Sequence, residues 1–282
     1  MEETWVLAGC FGIALFISFF TSMAGVSGAF VLVPVQVSLL GITGPVVSST
    51  NHLYNLVATP GGVLRYWQEG RMAWRVAVLL AAGGIPGAII GVWLRIRLLT
   101  SGGAFRVFVG VILLLLGLRL VFETLRKGSA ARPAPGRSRR FSCTYRALEF
   151  DGHLYPFSPA LIVAISLAVG VVGGAYGVGG GAFMAPILVG VLGLPVHGVS
   201  GALLAGTFMT SAAGVGGYQL FDLANPAYHA APDWWRGLAF GLGGLVGSYS
   251  GGRWQTYFSP RFIRGVLATA VLAVALRYLL FS

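Results

Sequence analysis

Apolar positions dominate two stretches of this chain so fully that Thr4–Leu64 and Gly152–Phe221 contain no Asp, Glu, Lys or Arg. A membrane-spanning helix needs about 20 mainly apolar residues, so each stretch holds roughly three passes. Continuous apolarity, in place of short alternating runs, selects helices over a transmembrane barrel. The pattern predicts five helical segments in each half. They are 4–22, 27–41, 45–66, 73–95 and 104–124 in the first, and 157–175, 180–193, 196–219, 233–253 and 261–281 in the second. The second and seventh segments are short for a ~30 Å hydrocarbon core and read as half-helices or hairpin arms. Between the halves, 126–153 has loop composition, and Phe150-Asp-Gly-His153 fits the turn of a small hairpin.

The two halves are copies. Gly25-Val-Ser-Gly-Ala-Phe-Val-Leu-Val-Pro34 lies over Gly177-Val-Gly-Gly-Gly-Ala-Phe-Met-Ala-Pro186 at an offset of 152 residues. That offset also pairs Gly41 with Gly193, Ser48 with Ser200, Gly62 with Gly214 and Tyr66 with Tyr218. After an insertion around Asp222–Asp233 the offset becomes 160, matching Gly83, Gly84, Gly87 and Gly91 to Gly243, Gly244, Gly247 and Gly251. At an offset of 158, Arg106 and Arg119 meet Arg264 and Arg277. The domain division expected is a first transmembrane repeat over 1–125, a basic linker over 126–153 and a second repeat over 154–282.

Charge fixes the orientation. The chain is 10% charged with a mean hydropathy of +0.81, in keeping with an integral membrane protein. The acidic start Met-Glu-Glu-Thr lacks a basic flank, so the first segment reads as a retained helix. The net charge of +11 does not point to nucleic acid. Arg126, Lys127, Arg132, Arg137, Arg139, Arg140 and Arg146 crowd the linker, the signature of a cytoplasmic loop facing anionic lipid. With the linker inside, the Arg65/Arg71/Arg75 and Arg253/Arg261/Arg264 loops are inside, and the acidic 222–233 loop and both termini are outside. Only the Arg95/Arg97/Arg106 loop breaks the rule. Five segments per half make the repeats inverted. Reading Trp5–Gly41 as one broken span would make them parallel, placing the basic 65–75 and acidic 222–233 loops on one side. The fold expected is therefore all-α, a polytopic helical membrane protein of two inverted repeats with broken helices at the midplane, the arrangement of alternating-access carriers. Cys10 and Cys143 suggest neither a disulfide nor a metal site, and no cofactor is expected.

Two glycine clusters interrupt apolar runs. Irregular backbone inside a membrane survives only where protein buries it or it lines a cavity. The helix starting after each break presents unpaired N–H groups and the positive end of its dipole, so two facing breaks make an anion site. The N–H groups around Ser27, Gly28, Gly179, Gly180 and Gly181 are the candidates. Small-residue packing explains most other glycines. Just downstream, Ser48, Asn51, His52, Asn55 and Thr59 share one helical face, which is expected to line a polar path. Ser200, Thr207 and Ser211 take the matching positions in the second half, where Leu203 and Leu204 replace Asn51 and His52. His52 either carries a coupled proton or is a neutral hydrogen-bonding histidine. Arg119 and Arg277, near segment ends, read as snorkelling or, less directly, as gating residues.

The duplicated Gly-Val-Gly-Gly-Gly-Ala-Phe-Met-Ala-Pro block (177–186), its partner Gly-Val-Ser-Gly-Ala-Phe-Val-Leu-Val-Pro (25–34) and the basic central loop resemble the TauE/SafE family of sulfite and organosulfonate exporters. The resemblance runs along essentially the whole chain. It implies a plasma-membrane carrier whose partner is a small anion such as sulfite or a sulfonate. Ser27 and Ala29 depart from the second block's glycines, which implies a less open first half-site. A homodimer is compatible with the lipid-facing surface.

Rival readings come from other classes. An anion channel uses the same materials as a carrier. Gly25-Val-Ser27-Gly28 imitates the nucleophile motif of rhomboid proteases, with His52 or His197 as base, and a Ser–His dyad needs hydrogen-bond contact. Against it, the second repeat keeps the glycine frame with Gly179 in place of Ser27. Gly177-x-Gly179-x-x-Ala182 imitates a dinucleotide fingerprint but lacks the βαβ context and the acidic residue about 20 positions on.

Overall fold

The computed structural model describes residues 2–24, 26–125, 141–254, 257 and 259–280. Arg126, Lys127, Arg132, Arg137, Arg139 and Arg140 of the basic linker, and Gly25 of the first glycine block, lie outside the described residues. The helices of the first half are α1 (Glu2–Ala24), α2 (Ala29–Ser38), α3 (Val46–Ala58), α4 (Pro60–Gln68), α5 (Trp74–Arg97) and α6 (Gly102–Leu125). Those of the second are α7 (Pro159–Tyr176), α8 (Gly180–Pro186, running on as a π-helical turn over Ile187–Val191), α9 (Val196–Ala224), α10 (Trp234–Trp254) and α11 (Pro260–Leu280). Stretches of α1, α5, α6, α7, α9 and α11 are long and apolar enough to cross a membrane by length and composition. The chain is a multi-pass helical membrane protein.

Local chemistry sets the element ends. Ser158 caps α7 by accepting the N–H of Leu161, and Pro159 takes the first helical position, where its missing N–H costs nothing. The other end stops at Gly177, whose φ of 96° only glycine adopts without strain, with the N–H groups of Gly177 and Val178 both donated to Gly173 O. The segment expected over 45–66 is two helices. Pro60 has no N–H and its ring crowds the preceding turn, so α3 ends and α4 begins there. The second repeat has Ala212 at the matching place, and α9 runs unbroken for 29 residues. As expected, the two glycine breaks precede short helices. α2 has 10 residues, and Gly180–Val191 forms the other, each spanning under ~20 Å at the helical rise.

The halves pack by exchange. α1 lies along α10, α5 along α7, α6 along α11, and α3 against both α9 and α10. Glycine ladders set the two long contacts. On α5, Gly83, Gly87 and Gly91 press on the carbonyls of Val163, Leu167 and Val171 of α7, leaving no room for a Cβ. On α10, Gly243, Gly247 and Gly251 press likewise on the carbonyls of Phe11, Leu15 and Phe19 of α1. The glycines are related by the offset of 160 and the carbonyls by the offset of 152. The same interface is built twice with its partners swapped. Without a hydrophobic drive inside lipid, such close backbone approach is what holds helices together.

The linker corrects the all-α expectation. Strands β1 (Phe141–Cys143), β2 (Ala147–Phe150) and β3 (His153–Pro156) form an antiparallel sheet, with Phe150 opposite His153 across the turn anticipated there. Asp151 and Gly152 take φ of 56° and 81°, as a two-residue hairpin turn requires. The third strand was not anticipated. Leu148 is fully buried in a cluster with Met72, Ala73 and Val76 at the start of α5 and with Leu194 and Val199 beside the α8–α9 turn. At this end of α5, Arg71 donates to His197 O at 3.3 Å. At the other end, Arg95 donates to Gly44 O of the α2–α3 turn at 2.7 Å. Arg97 and Arg106, the other two arginines of the loop that breaks the charge rule, are exposed; Arg95 is not. It belongs to the last turn of α5 and is fully buried, so it is no loop charge.

Gly87→Val drives a branched side chain into the α7 backbone, and overpacking of this kind costs about 3 kcal/mol or more. Folded yield by detergent size-exclusion should collapse. Gly9→Val, at a glycine with nothing within 4 Å, should keep a wild-type elution profile.

Candidate functional site

Where α7 ends at its glycine, the last carbonyls of the helix lose their intrahelical donors. Inside a membrane no water is on hand to replace them. The polar face of α3 does so. Ser48 Oγ donates to Ala175 O at 2.9 Å, and Asn55 Nδ2 donates to Gly177 O and Val178 O at 3.2 and 3.0 Å. Gly174 O accepts from Tyr218 OH at 3.0 Å and from His52 Nε2 at 3.3 Å. Ser48, Asn51, His52 and Asn55 are all essentially without solvent exposure.

Asn51 joins the two breaks. Its Nδ2 donates to Ala29 O, at the start of α2, and to Gly177 O, both at 3.0 Å. Both acceptors are carbonyls, which fixes the amide orientation. Oδ1 is then a buried acceptor with no partner among the described residues. A second tie crosses the same junction. Pro34 has no N–H for Phe30 O, and Tyr176 OH supplies that bond at 2.8 Å. The rings of Phe30, Tyr176 and Phe183 pack around it.

Each break has its own lining. At the second, Gly179 takes φ 77° and ψ 150°, a region open in practice only to glycine. Thr207 and Ser211 crowd against Gly179, and Gly180 N–H donates to Thr210 Oγ1 at 2.9 Å. Gly181 abuts Leu203 O and Thr207. At the first break, Ser27 Oγ accepts the N–H of Ala29 at 3.3 Å. Gly28 faces a bonded pair, Ser18 Oγ and Tyr54 OH, 2.8 Å apart.

His52 bonds on both sides. Gly174 O can only accept, so Nε2 carries the proton, and Nδ1 takes a bond from Ser211 Oγ at 3.4 Å. A neutral histidine is fully satisfied by this pair of bonds. No Ser–His dyad forms between Ser27 and His52, since each is engaged elsewhere. His197 sits at the start of α9 beside Arg71.

A family match settles the class. The family described as "Sulfite exporter TauE/SafE" matches residues 10–278 of this chain. The chain belongs to the TauE/SafE family of membrane transporters. Its curated relatives agree with that. A "Probable membrane transporter protein" of Xylella fastidiosa (strain 9a5c) is 25% identical over 271 residues, covering 92% of this chain and 90% of the relative. The "Probable membrane transporter protein YunE" of Bacillus subtilis (strain 168) is 23% identical over 255 residues, with 87% and 89% covered. One from Sinorhizobium fredii, "y4hK", is 24% identical over 245 residues, with 86% of each covered. No solved structure matches significantly.

Most of the residues expected at the site of this TauE/SafE protein gather at the junction. Ser48, Asn51, His52, Asn55, Thr207 and Ser211 all bond or abut the two breaks. Ser200 does not. Half-buried in the first turn of α9, it returns its hydroxyl to Val196 O of its own helix. Arg119 pairs with Glu123 at 2.8 Å near the end of α6. Sequence reasoning missed Thr210, Tyr176, Ser18, Tyr54 and Arg95. Tyr218 was visible only as a repeat match to Tyr66. Arg95 carried no sequence signal that set it apart from Arg97 and Arg106.

Asn51→Ala removes both bonds of the bridging amide, and a lost buried hydrogen bond costs about 1–3 kcal/mol. Thermal unfolding in detergent should fall clearly below wild type, while Ser200→Ala, at a self-satisfied hydroxyl, should leave it unchanged.

Proposed function

We propose that this TauE/SafE protein exports a small oxyanion, sulfite or an organosulfonate, across the cell membrane by alternating access between two inverted repeats. The carrying observation is the Asn51 bridge, which sets the starts of α2 and α8 side by side, with Ser27, Gly28 and Gly179–Gly181 at their mouths. Neutral donors and two helix starts suit an anion, and no carboxylate is among the side chains that bond or abut the breaks. Asn51 Oδ1 adds an acceptor for a ligand that itself carries a proton, as hydrogensulfite does. Ser48, His52, Asn55, Thr207 and Ser211 act as the frame of the site.

The inverted arrangement has its own support. Gly41 and Gly193 are repeat partners, yet the turn after Gly41 meets the end of α5 while the turn after Gly193 meets its start. Equivalent turns at opposite ends of one spanning helix are what inversion requires. The strands that follow the basic residues of the linker pack beside the start of α5, so the linker is then cytoplasmic, and the Asp222–Asp233 loop is external. Sulfite as cargo follows the family description.

Gly180 offers the sharpest test. A Cβ there would meet only Thr210, at 3.5 Å, an ordinary contact. The position therefore accepts a Cβ, from which a longer side chain would reach into the break. Gly180→Leu should elute and melt like wild type, while radiolabelled sulfite counterflow in proteoliposomes falls by roughly ten-fold or more, as loss of the anion's hydrogen bonds implies. Wild-type counterflow in this variant would remove the break from the path. Flux without trans-stimulation in wild type would make the protein a channel.

A further inference from the structure

Arg95 is the largest fully buried side chain among the described residues. Its guanidinium donates from Nε to Ser48 Oγ at 3.4 Å, from Nη2 to Gly44 O at 2.7 Å, and from Nη1 to Leu99 O. The Phe105 ring lies against it, 3.7 Å from Cζ to the centroid. Every one of these partners is neutral. The ion pairs among the described residues join Arg65 and Arg71 to Glu69, Arg119 to Glu123, and Arg236 to Asp233, and none includes Arg95.

Buried charges are ordinarily paired with an opposite charge. The carbonyl-rich end of α5 and the face of Phe105 offset part of the desolvation, so the cation rests there without a counter-ion. Five N–H donors project from a guanidinium in a fixed fork. Three oxygens accept, so two donors stay available. The cation is also wired to the junction already described. The Ser48 hydroxyl that accepts from it donates to Ala175 O at 2.9 Å, and the Ser48 backbone abuts Gly177. One hydroxyl separates the guanidinium from the second glycine break.

We propose that the Arg95 guanidinium, held in place by Ser48, Gly44 and Leu99, forms a second anion subsite at the α2–α3 and α5–α6 turns, on the external side of the glycine breaks, which selects for oxyanions. The two spare N–H groups take two oxygens of one small oxyanion, the bidentate geometry for which arginine is suited and lysine is not. The anion completes the missing ion pair. Chloride, with no pair of oxygens, gains the charge but not the fork. This proposal rests on the anion-transport reading above.

The test is calorimetric titration of purified protein in detergent with sodium sulfite, with sodium chloride as control. Arg95→Gln removes the charge and keeps a hydrogen-bonding group. Its sulfite affinity is expected to fall by about ten-fold or more, the scale of a charged hydrogen bond, with an unaltered elution profile. Arg95→Lys keeps the charge and should recover only part of that loss. Wild-type sulfite affinity in Arg95→Gln would overturn the subsite and leave the glycine breaks as the anion site. No sulfite binding by wild type would overturn the transport reading together with it. Failure of both variants to fold would assign Arg95 to the architecture alone and overturn the proposal.

Discussion

A helix broken inside a membrane exposes backbone carbonyls that lipid cannot satisfy, and the rest of this protein is arranged around meeting that demand. The end of α7 and the start of α2 are served by one neighbouring helix, α3. Asn51 is the shared member, with one amide nitrogen holding Ala29 O and Gly177 O at 3.0 Å each. Ser48, His52 and Asn55 complete the set on the α7 side. The same constraint explains why the polar face of α3 is so fully buried. Its side chains act as donors to a backbone that has left the helical ladder. On the proposed reading, function then depends on the backbone at the two helix starts, where Ala29 N–H is lent to Ser27 Oγ and Gly180 N–H to Thr210 Oγ1 until an anion takes them.

The scaffold is duplicated while the site is not. The glycine ladders of α5 on α7 and α10 on α1 repeat residue for residue, so the close-packed frame is common to both halves. At the junction the halves differ. The first repeat supplies Asn51 and His52, and the second has Leu203 and Leu204 in their place. The break of the second repeat is therefore dressed by α3 of the first, and the break of the first meets Ser18 and Tyr54. Pro60 deepens the asymmetry by splitting α3 from α4, where Ala212 lets α9 continue. A symmetric frame around an asymmetric centre is compatible with two half-sites of unequal openness, as Ser27 and Ala29 already implied.

Much of the frame was legible in the sequence because its signals are local. Apolar run length, glycine and proline punctuation and the 152-residue offset give the helices and the duplication without any tertiary knowledge. Pro60 was equally visible, but proline within an apolar run either kinks or divides a helix, and only packing decides which. β1 escaped because three residues carry no period. At the site, spacing placed Ser48, Asn51, His52 and Asn55 on one face. Their role as donors to carbonyls more than 120 positions away was not legible, because the partner is a backbone atom and has no sequence identity. Arg95 was hidden for a different reason. Its neighbours Arg97 and Arg106 make it read as part of a basic loop, and only its burial separates it from them.

The central claim is that the paired breaks bind a sulfur oxyanion. Thermal unfolding of the purified protein with sulfite, sulfate, a sulfonate, a carboxylate and chloride at matched ionic strength tests it most directly, since a ligand that binds only the folded form raises apparent stability by mass action. The account predicts a concentration-dependent rise with sulfite or the sulfonate that chloride and the carboxylate do not reproduce. An unfolding temperature indifferent to all five anions would contradict it.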